Sequence, residues 1–311
     1  MSSHRSPRIG VLQVATAGVL WGTGGLVMTV LHDRDGLDAL TVSAWRMGIA
    51  AMSLLAFALV SRRGADVRGT LREHPVRAIA VGVFTAVYQG LYFVSVLLVG
   101  VSVSTVLALG LAPVLATAWE HVADRTRPSG RQLLVLAAAL TGLVLISFSA
   151  GDAPGDHPEL GILLAIGSGV TYAATTLVGR HVAQRVDAVA LTTCATAAGA
   201  CALAPFIAVA AVQNDPVGAG SPASWALLVY LGVATMAVAY GLLYAGLRSI
   251  PGSAATVATL VEPLSAVLLA VLLLDERLSA PAVLGCVLIL AAVAALRPEP
   301  GLSPGAATVP A

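Results

Sequence analysis

At 311 residues, 58% hydrophobic and only 11% charged, the chain lacks the charged surface that a water-soluble protein of this size needs, and its composition fits lipid as the solvent. A net charge of +1 excludes bulk electrostatic binding of nucleic acid. All 17 basic residues are arginine, and their uneven placement along the chain is informative.

The N-terminal MSSHRSPR has no secretory cleavage pattern, and the first apolar run, 10–31, is long enough to stay in a bilayer. Further runs follow at 38–60, 76–121, 132–149, 159–181, 188–212, 223–246, 253–274 and 279–296. A helix needs about 20 apolar residues to cross the hydrocarbon core, so 76–121 is of double length. Gly100, Ser102 and Ser104 offer only a weak break inside it.

Loop charge divides the run. Arg62, Arg63, Arg68, Arg72 and Arg77 precede it, and Arg125, Arg127 and Arg131 follow it. Both segments belong on the cytoplasmic side, so the run between them crosses an even number of times. Helices at 76–98 and 101–121 satisfy this and bring the total to ten. With both termini inside, the cytoplasmic loops also hold Arg5, Arg8, Arg180, Arg185, Arg248 and Arg297, fourteen arginines against two outside, Arg34 and Arg277. The expected location is a bacterial inner (plasma) membrane. The Pro/Gly/Ala-rich segment 298–311 is expected to be a disordered tail.

Cys194, Cys201 and Cys286 lie in apolar runs with no CxxC or Cys/His cluster. They read as small apolar residues, with no metal site, disulfide or cofactor expected.

The chain repeats itself at an offset of about 150 residues. GVLWGTGGLV (18–27) matches GVTYAATTLV (169–178), pairing Trp21 with Tyr172. ALTVSAWRMG (39–48) matches ALTTCATAAG (190–199), and VSVSTVLALGLAPV (101–114) matches PGSAATVATLVEPL (251–264), pairing Pro113 with Pro263 and Ala112 with Glu262. The repeats, 10–149 and 159–297, contain five spans each. An odd number makes the second enter from the opposite face, so the expected fold is an all-α membrane protein with two inverted five-helix repeats.

The ten spans, the duplication and the stretch YAGLRSIPGSAATVATLVEPLSAVLLAVLLLDERLSAPAVLGCVLIL (244–290) resemble the EamA branch of the drug/metabolite transporter superfamily. The first repeat departs from that pattern, with Ala112 in place of Glu before Pro113 and RTRPS (125–129) in place of DERLS. The resemblance implies transport, more often export, of small metabolites such as amino acids and their derivatives.

Ionisable residues inside a bilayer are functional candidates by default. Arg46 and Glu262 sit deepest. Arg46 could offer a cation to a substrate carboxylate or to Glu262, or bond backbone carbonyls or snorkel outward. Glu262 precedes Pro263, which removes a backbone donor and leaves a carbonyl or a kink available. It could titrate protons, bind substrate, or tie helices together. Tyr88 and Tyr92, with Gln89 beside them, and Tyr240 with Tyr244 form i, i+4 pairs on equivalent spans, although Tyr88 aligns with Val238. With Trp21 and Tyr172 facing each other at the midpoints of the two first helices, they are expected to line a cavity or to pack between helices. Glycines such as those in GTGG (22–25) read as packing residues.

Three functions fit these features. The first is a secondary transporter of a small polar metabolite working by alternating access between the halves, with protons as a possible partner. Proton-coupled multidrug efflux is the second, weakened by Arg46 and by the lack of an acid in the first span. A lipid-handling protein or membrane-embedded enzyme is the third, although a lone Glu262 does not supply clustered acids.

Overall fold

A computed structural model describes residues 7–149, 158–274 and 279–296, and every regular element among them is helical. The first repeat region contains α1 (Pro7–Asp35), α2 (Ala39–Val60), α3 (Gly64–Glu73), α4 (Pro75–Val99), α5 (Val101–Ala123) and α6 (Gly130–Ser149). The second contains α7 (Pro158–Ala183), α8 (Ala188–Gln213), α9 (Pro222–Tyr230), a π-helical segment (Leu231–Val238), α10 (Ala239–Gly246), α11 (Gly252–Ala258), α12 (Val261–Leu274) and α13 (Ala280–Ala294). Among the described residues nine helices are long and apolar enough to cross a membrane, with Pro222–Gly246 and Gly252–Leu269 each counted once, and α13 is a shorter apolar helix. The expectations for Arg5, Arg277, Arg297, most of the 151–159 loop, DER at 275–277 and the 298–311 tail lie outside the described residues.

The double-length run splits at one residue. Gly100 joins α4 to α5 with φ 85°, a left-handed conformation that glycine adopts without steric cost, and its N–H donates to Val96 O at 3.0 Å. The arginine-rich segment before the run, read as a loop, contains α3. There Thr70 is buried while Arg68 and Arg72 stay exposed, an amphipathic arrangement too short to read from periodicity.

The two repeats start their second helices with the same device. Asp38 accepts the N–H groups of Leu40 and Thr41, and Asp187 accepts those of Val189 and Ala190. A carboxylate at the N-cap satisfies donors that the helix itself leaves orphaned.

Large apolar side chains such as Leu12, Val60, Leu134 and Val212 are exposed, while Gly, Ala, Ser and Thr fill much of the interior. That distribution suits lipid outside and close helix contact inside. Beside α2–α8, the heaviest packing joins α4 to α7, α6 to α13, α5 to α7, α4 to α8, α1 to α12 and α1 to α10. All of these contacts run between the repeats. Exchanging the repeats turns α4–α7 into α10–α1, α5–α7 into α12–α1 and α4–α8 into the packing of the π segment on α2. The α6–α13 crossing is reciprocal: a Cβ on Gly142 would lie 2.6 Å from Gly285 O, and one on Gly285 would lie 2.6 Å from Gly142 O. Neither repeat is a separate body; each supplies the packing partners of the other.

Candidate functional site

Two irregular segments, both in the second repeat, shape the centre of the bundle. In the π-helical segment, Trp21 Nε1 donates to Thr235 O at 2.8 Å and Arg46 Nη2 donates to Thr235 Oγ1 at 3.0 Å. Arg46 also reaches Met236 Sδ at 3.6 Å. A π turn carries extra residues relative to an α turn, which rotates the downstream residues around the helix axis. This accounts for the tyrosine pairs being out of register in sequence. Tyr240 packs on Trp21 with ring centroids 5.0 Å apart, as Tyr88 packs on Tyr172 at 4.9 Å. Trp21 and Tyr172 therefore each pack against a tyrosine of the opposite repeat, Trp21 at a tilt and Tyr172 stacked.

The second irregularity separates α11 from α12 at Thr259–Leu260. Pro263 cannot donate to Thr259 O, and the N–H of Glu262 takes that carbonyl at 2.9 Å. The kink is present, but the carbonyl expected to be open is occupied. Tyr172 Oη donates to Thr259 Oγ1 at 2.9 Å, and Thr259 Oγ1 donates to Thr256 O at 2.9 Å, which ties the break to α7. From the other side α1 approaches the break through glycine. A Cβ on Gly22 would lie 2.5 Å from Glu262 O and 2.6 Å from Ser265 Cβ.

Between these features lies a cavity of about 140 Å³. Eight residues singled out in sequence line it: Trp21, Arg46, Tyr88, Gln89, Tyr92, Tyr172, Tyr240 and Glu262. Tyr244 and Pro263 are not among its lining residues. Tyr244 is fully buried below Tyr240, with their centroids 6.0 Å apart, and its ring fills the space beside Gly179. Pro263 acts on the backbone, its ring buried in the bundle.

Sequence reasoning missed Met28 and Phe93 and read Gly24 and Gly25 as packing residues only; all four line the cavity. Met28 lies seven residues after Trp21, two turns along the same helix face, and that spacing was an available signal.

Arg46 and Glu262 face this one cavity without an ion pair between them. Among the described residues the sole salt bridge is Arg63–Asp187 at 3.4 Å, far from the centre. Arg46 Nε and Gln89 Oε1 are buried with no hydrogen-bond partner among the described residues. The cavity thus presents a guanidinium, a carboxyl and an amide oxygen within aromatic walls, a set able to hold a small molecule bearing both donors and acceptors.

The cavity extends from mid-depth toward the arginine-poor face, since Met28 and Phe93 lie beyond Trp21 and Tyr88 on helices that run in that direction. On the arginine-rich side, hydrogen bonds tie the helix ends together. Glu120, at the end of α5, accepts from Gly252 N at 2.7 Å, Ser253 N at 3.3 Å and Ser253 Oγ at 2.5 Å, and Arg180 Nε donates to Ile250 O at 3.0 Å.

The EamA-like transporter family model matches residues 8–148 and again 159–297, nearly the whole chain. The chain is 29% identical over 279 residues to the uncharacterized transporter YwfM of Bacillus subtilis, covering 90% of each protein. It is 28% identical to the uncharacterized inner membrane transporter YicL of Salmonella typhimurium, covering 93% of this chain and 95% of that protein. One crystal structure superimposes with a TM-score of 0.76 over 92% of this chain and 95% of the other; at 20% identity it speaks for the fold alone.

Proposed function

The chain belongs to the EamA-like transporter family, and from that premise we propose that it is a secondary transporter of small zwitterionic metabolites of the amino-acid type. The observation that carries this reading is the central cavity, where a cation and a carboxyl face each other unpaired within aromatic walls. A substrate carboxylate would accept from Arg46 and its ammonium would donate to Glu262, so one solute engages two cavity groups that form no ion pair among the described residues. The volume of about 140 Å³ is well below the roughly 300–1,000 Å³ of drug-sized sites, which favours a small metabolite over a bulky drug. Arg46 also disfavours a purely cationic cargo.

We read the chain as ten spans in two inverted five-helix repeats, 10–149 and 159–297, with both termini on the arginine-rich inner side and solute moving outward. The moving bodies follow the packing. One consists of α1 with the π segment, α10 and α12; the other consists of α7 with α4 and α5; α11 packs on α5 and on α1 and bridges the two. Each combines the first helix of one repeat with the third and fourth spans of the other, and the cavity lies between them. Alternating access separates these swapped groups in place of separating the halves. Protons enter through Glu262, the one carboxyl in the cavity lining among the described residues.

The test is counterflow of a broad amino-acid panel by purified protein in liposomes. Saturable exchange of at least one zwitterion supports the reading, and failure across the panel ends it. Glu262→Gln should keep binding but remove the pH dependence of exchange, and unchanged pH dependence would take Glu262 out of the coupling role.

A further inference from the structure

A second cavity of about 320 Å³ lies at the arginine-rich end of the bundle. It shares no lining residue with the central cavity and is walled partly by α6 and by Ala295 and Leu296 just after α13, parts of the chain that contribute nothing to the central cavity. Arg131 at the start of α6, Arg180 in the last turn of α7 and Arg248 in the turn after α10 converge on it from both repeats.

These arginines are held in place but not neutralised. Arg131 Nη2 donates to Ala295 O at 2.6 Å, Arg180 Nε to Ile250 O at 3.0 Å and Arg248 Nη1 to Val186 O at 2.7 Å. Each guanidinium has five donors, so most remain after the anchoring bond, and none of the three is in an ion pair among the described residues. Among the described residues no acidic side chain lines the cavity. The carboxylate of Glu120, which bonds the lining residue Ser253, is engaged by the backbone of Gly252 and by the backbone and hydroxyl of Ser253. Three anchored cations with no anion among the described residues form a preorganised anion receptor.

The rest of the lining narrows the ligand. Ser129 and Ser249 add hydroxyls at the charged end, while Val135, Leu136 and Val257 form an apolar wall. Charge at the helix ends over apolar wall matches a phosphate headgroup with its acyl chain running along the bundle. We propose that this cavity binds a phosphate-type anion, supplied by an anionic phospholipid of the inner leaflet or by a soluble phosphate. Because the site includes Ile250 and Ser253, whose contacts with Arg180 and Glu120 tie the helix ends on the arginine-rich side, occupancy also steadies those contacts.

The experiment measures melting temperature of the full chain in neutral detergent. Phosphatidylglycerol should raise Tm by about 3 °C more than phosphatidylcholine, as expected for a ligand present well above its Kd. R131K/R248K should keep most of that difference and R131Q/R248Q should lose it. A rise produced by inorganic phosphate over chloride at equal ionic strength, and lost in R131Q/R248Q, assigns the site to a soluble anion; a rise with the lipid alone assigns it to the headgroup. Equal responses to both lipids with none to phosphate, or a full difference retained in R131Q/R248Q, would overturn the proposal. If the double variant does not purify, R248Q is read by native mass spectrometry. At least fivefold fewer bound phosphatidylglycerol molecules are expected, and undiminished retention contradicts the site.

Discussion

α5 and the α11–α12 pair occupy equivalent places in the two repeats and carry the same proline, yet α5 runs unbroken through Pro113 while its counterpart separates four residues before Pro263. The residues before the prolines differ as well. Ala112 is fully buried among Leu109, Leu143 and Leu260, and Glu262 faces the cavity. A proline alone removes one donor and leaves the helix room to bend. What makes a break is the neighbourhood: Tyr172 Oη on Thr259, the Glu262 N–H on Thr259 O, and glycines of α1 that let backbone meet backbone. The repeat thus keeps its symmetry in packing and gives it up where chemistry is needed. The first repeat supplies Arg46 on a regular helix, and the second supplies the π segment that holds it and the break that presents Glu262.

Restoring the missing carboxyl should be the most damaging change. Ala112→Glu places an acid in a core with no polar partner and should cost at least about 3 kcal/mol, seen as a loss of monodisperse protein and a large fall in Tm. Glu262→Ala, which removes a carboxyl without a hydrogen bond among the described residues, should stay within about 1 kcal/mol of the parent while abolishing exchange. Similar stability losses in both would erase the contrast between the two helices.

Gly22→Ala drives a methyl into Glu262 O and Ser265 and should lower stability by about 1–3 kcal/mol. Gly48→Ala, where a Cβ meets nothing within 4 Å, should be neutral or stabilising by up to about 1 kcal/mol. The pair is read from Tm in detergent, and equal effects would remove the close α1–α12 approach from the account. Tyr172→Phe should show the smallest loss, about 1 kcal/mol, from the missing bond to Thr259. No loss at all would mean that the break stands without its tie to α7.

Much of this was legible in the sequence because membrane proteins obey few and strong rules. Arginine parity required two helices in the 76–121 run, and Gly100 is the residue that turns between them. Arg46, Glu262 and the mid-span aromatics stood out because polar groups in lipid need a reason to be there. The interleaving of the repeats was not legible. Spans that are apolar all round carry almost no periodic signal for which face is inward, so contacts between α1 and α10 or between α7 and α4 leave no mark in the hydropathy pattern. The π segment was hidden for a related reason. LGVATMAV contains no proline, and its geometry depends on Trp21 and Arg46, about 190–215 residues away in sequence, bonding to Thr235. Tyr244 shows the limit of helical spacing: one turn from Tyr240, it is buried beneath that ring and outside the cavity lining.

The central claim, that Arg46 reads a substrate carboxylate in a cavity built by both repeats, is tested most directly by comparing counterflow of an amino acid with that of its decarboxylated amine. The native protein should favour the amino acid by roughly a hundredfold, the scale of one buried charge-assisted pair. Arg46→Ala should collapse that preference to near unity while exchange of the amine stays measurable. A preference that survives Arg46→Ala undiminished would contradict the account.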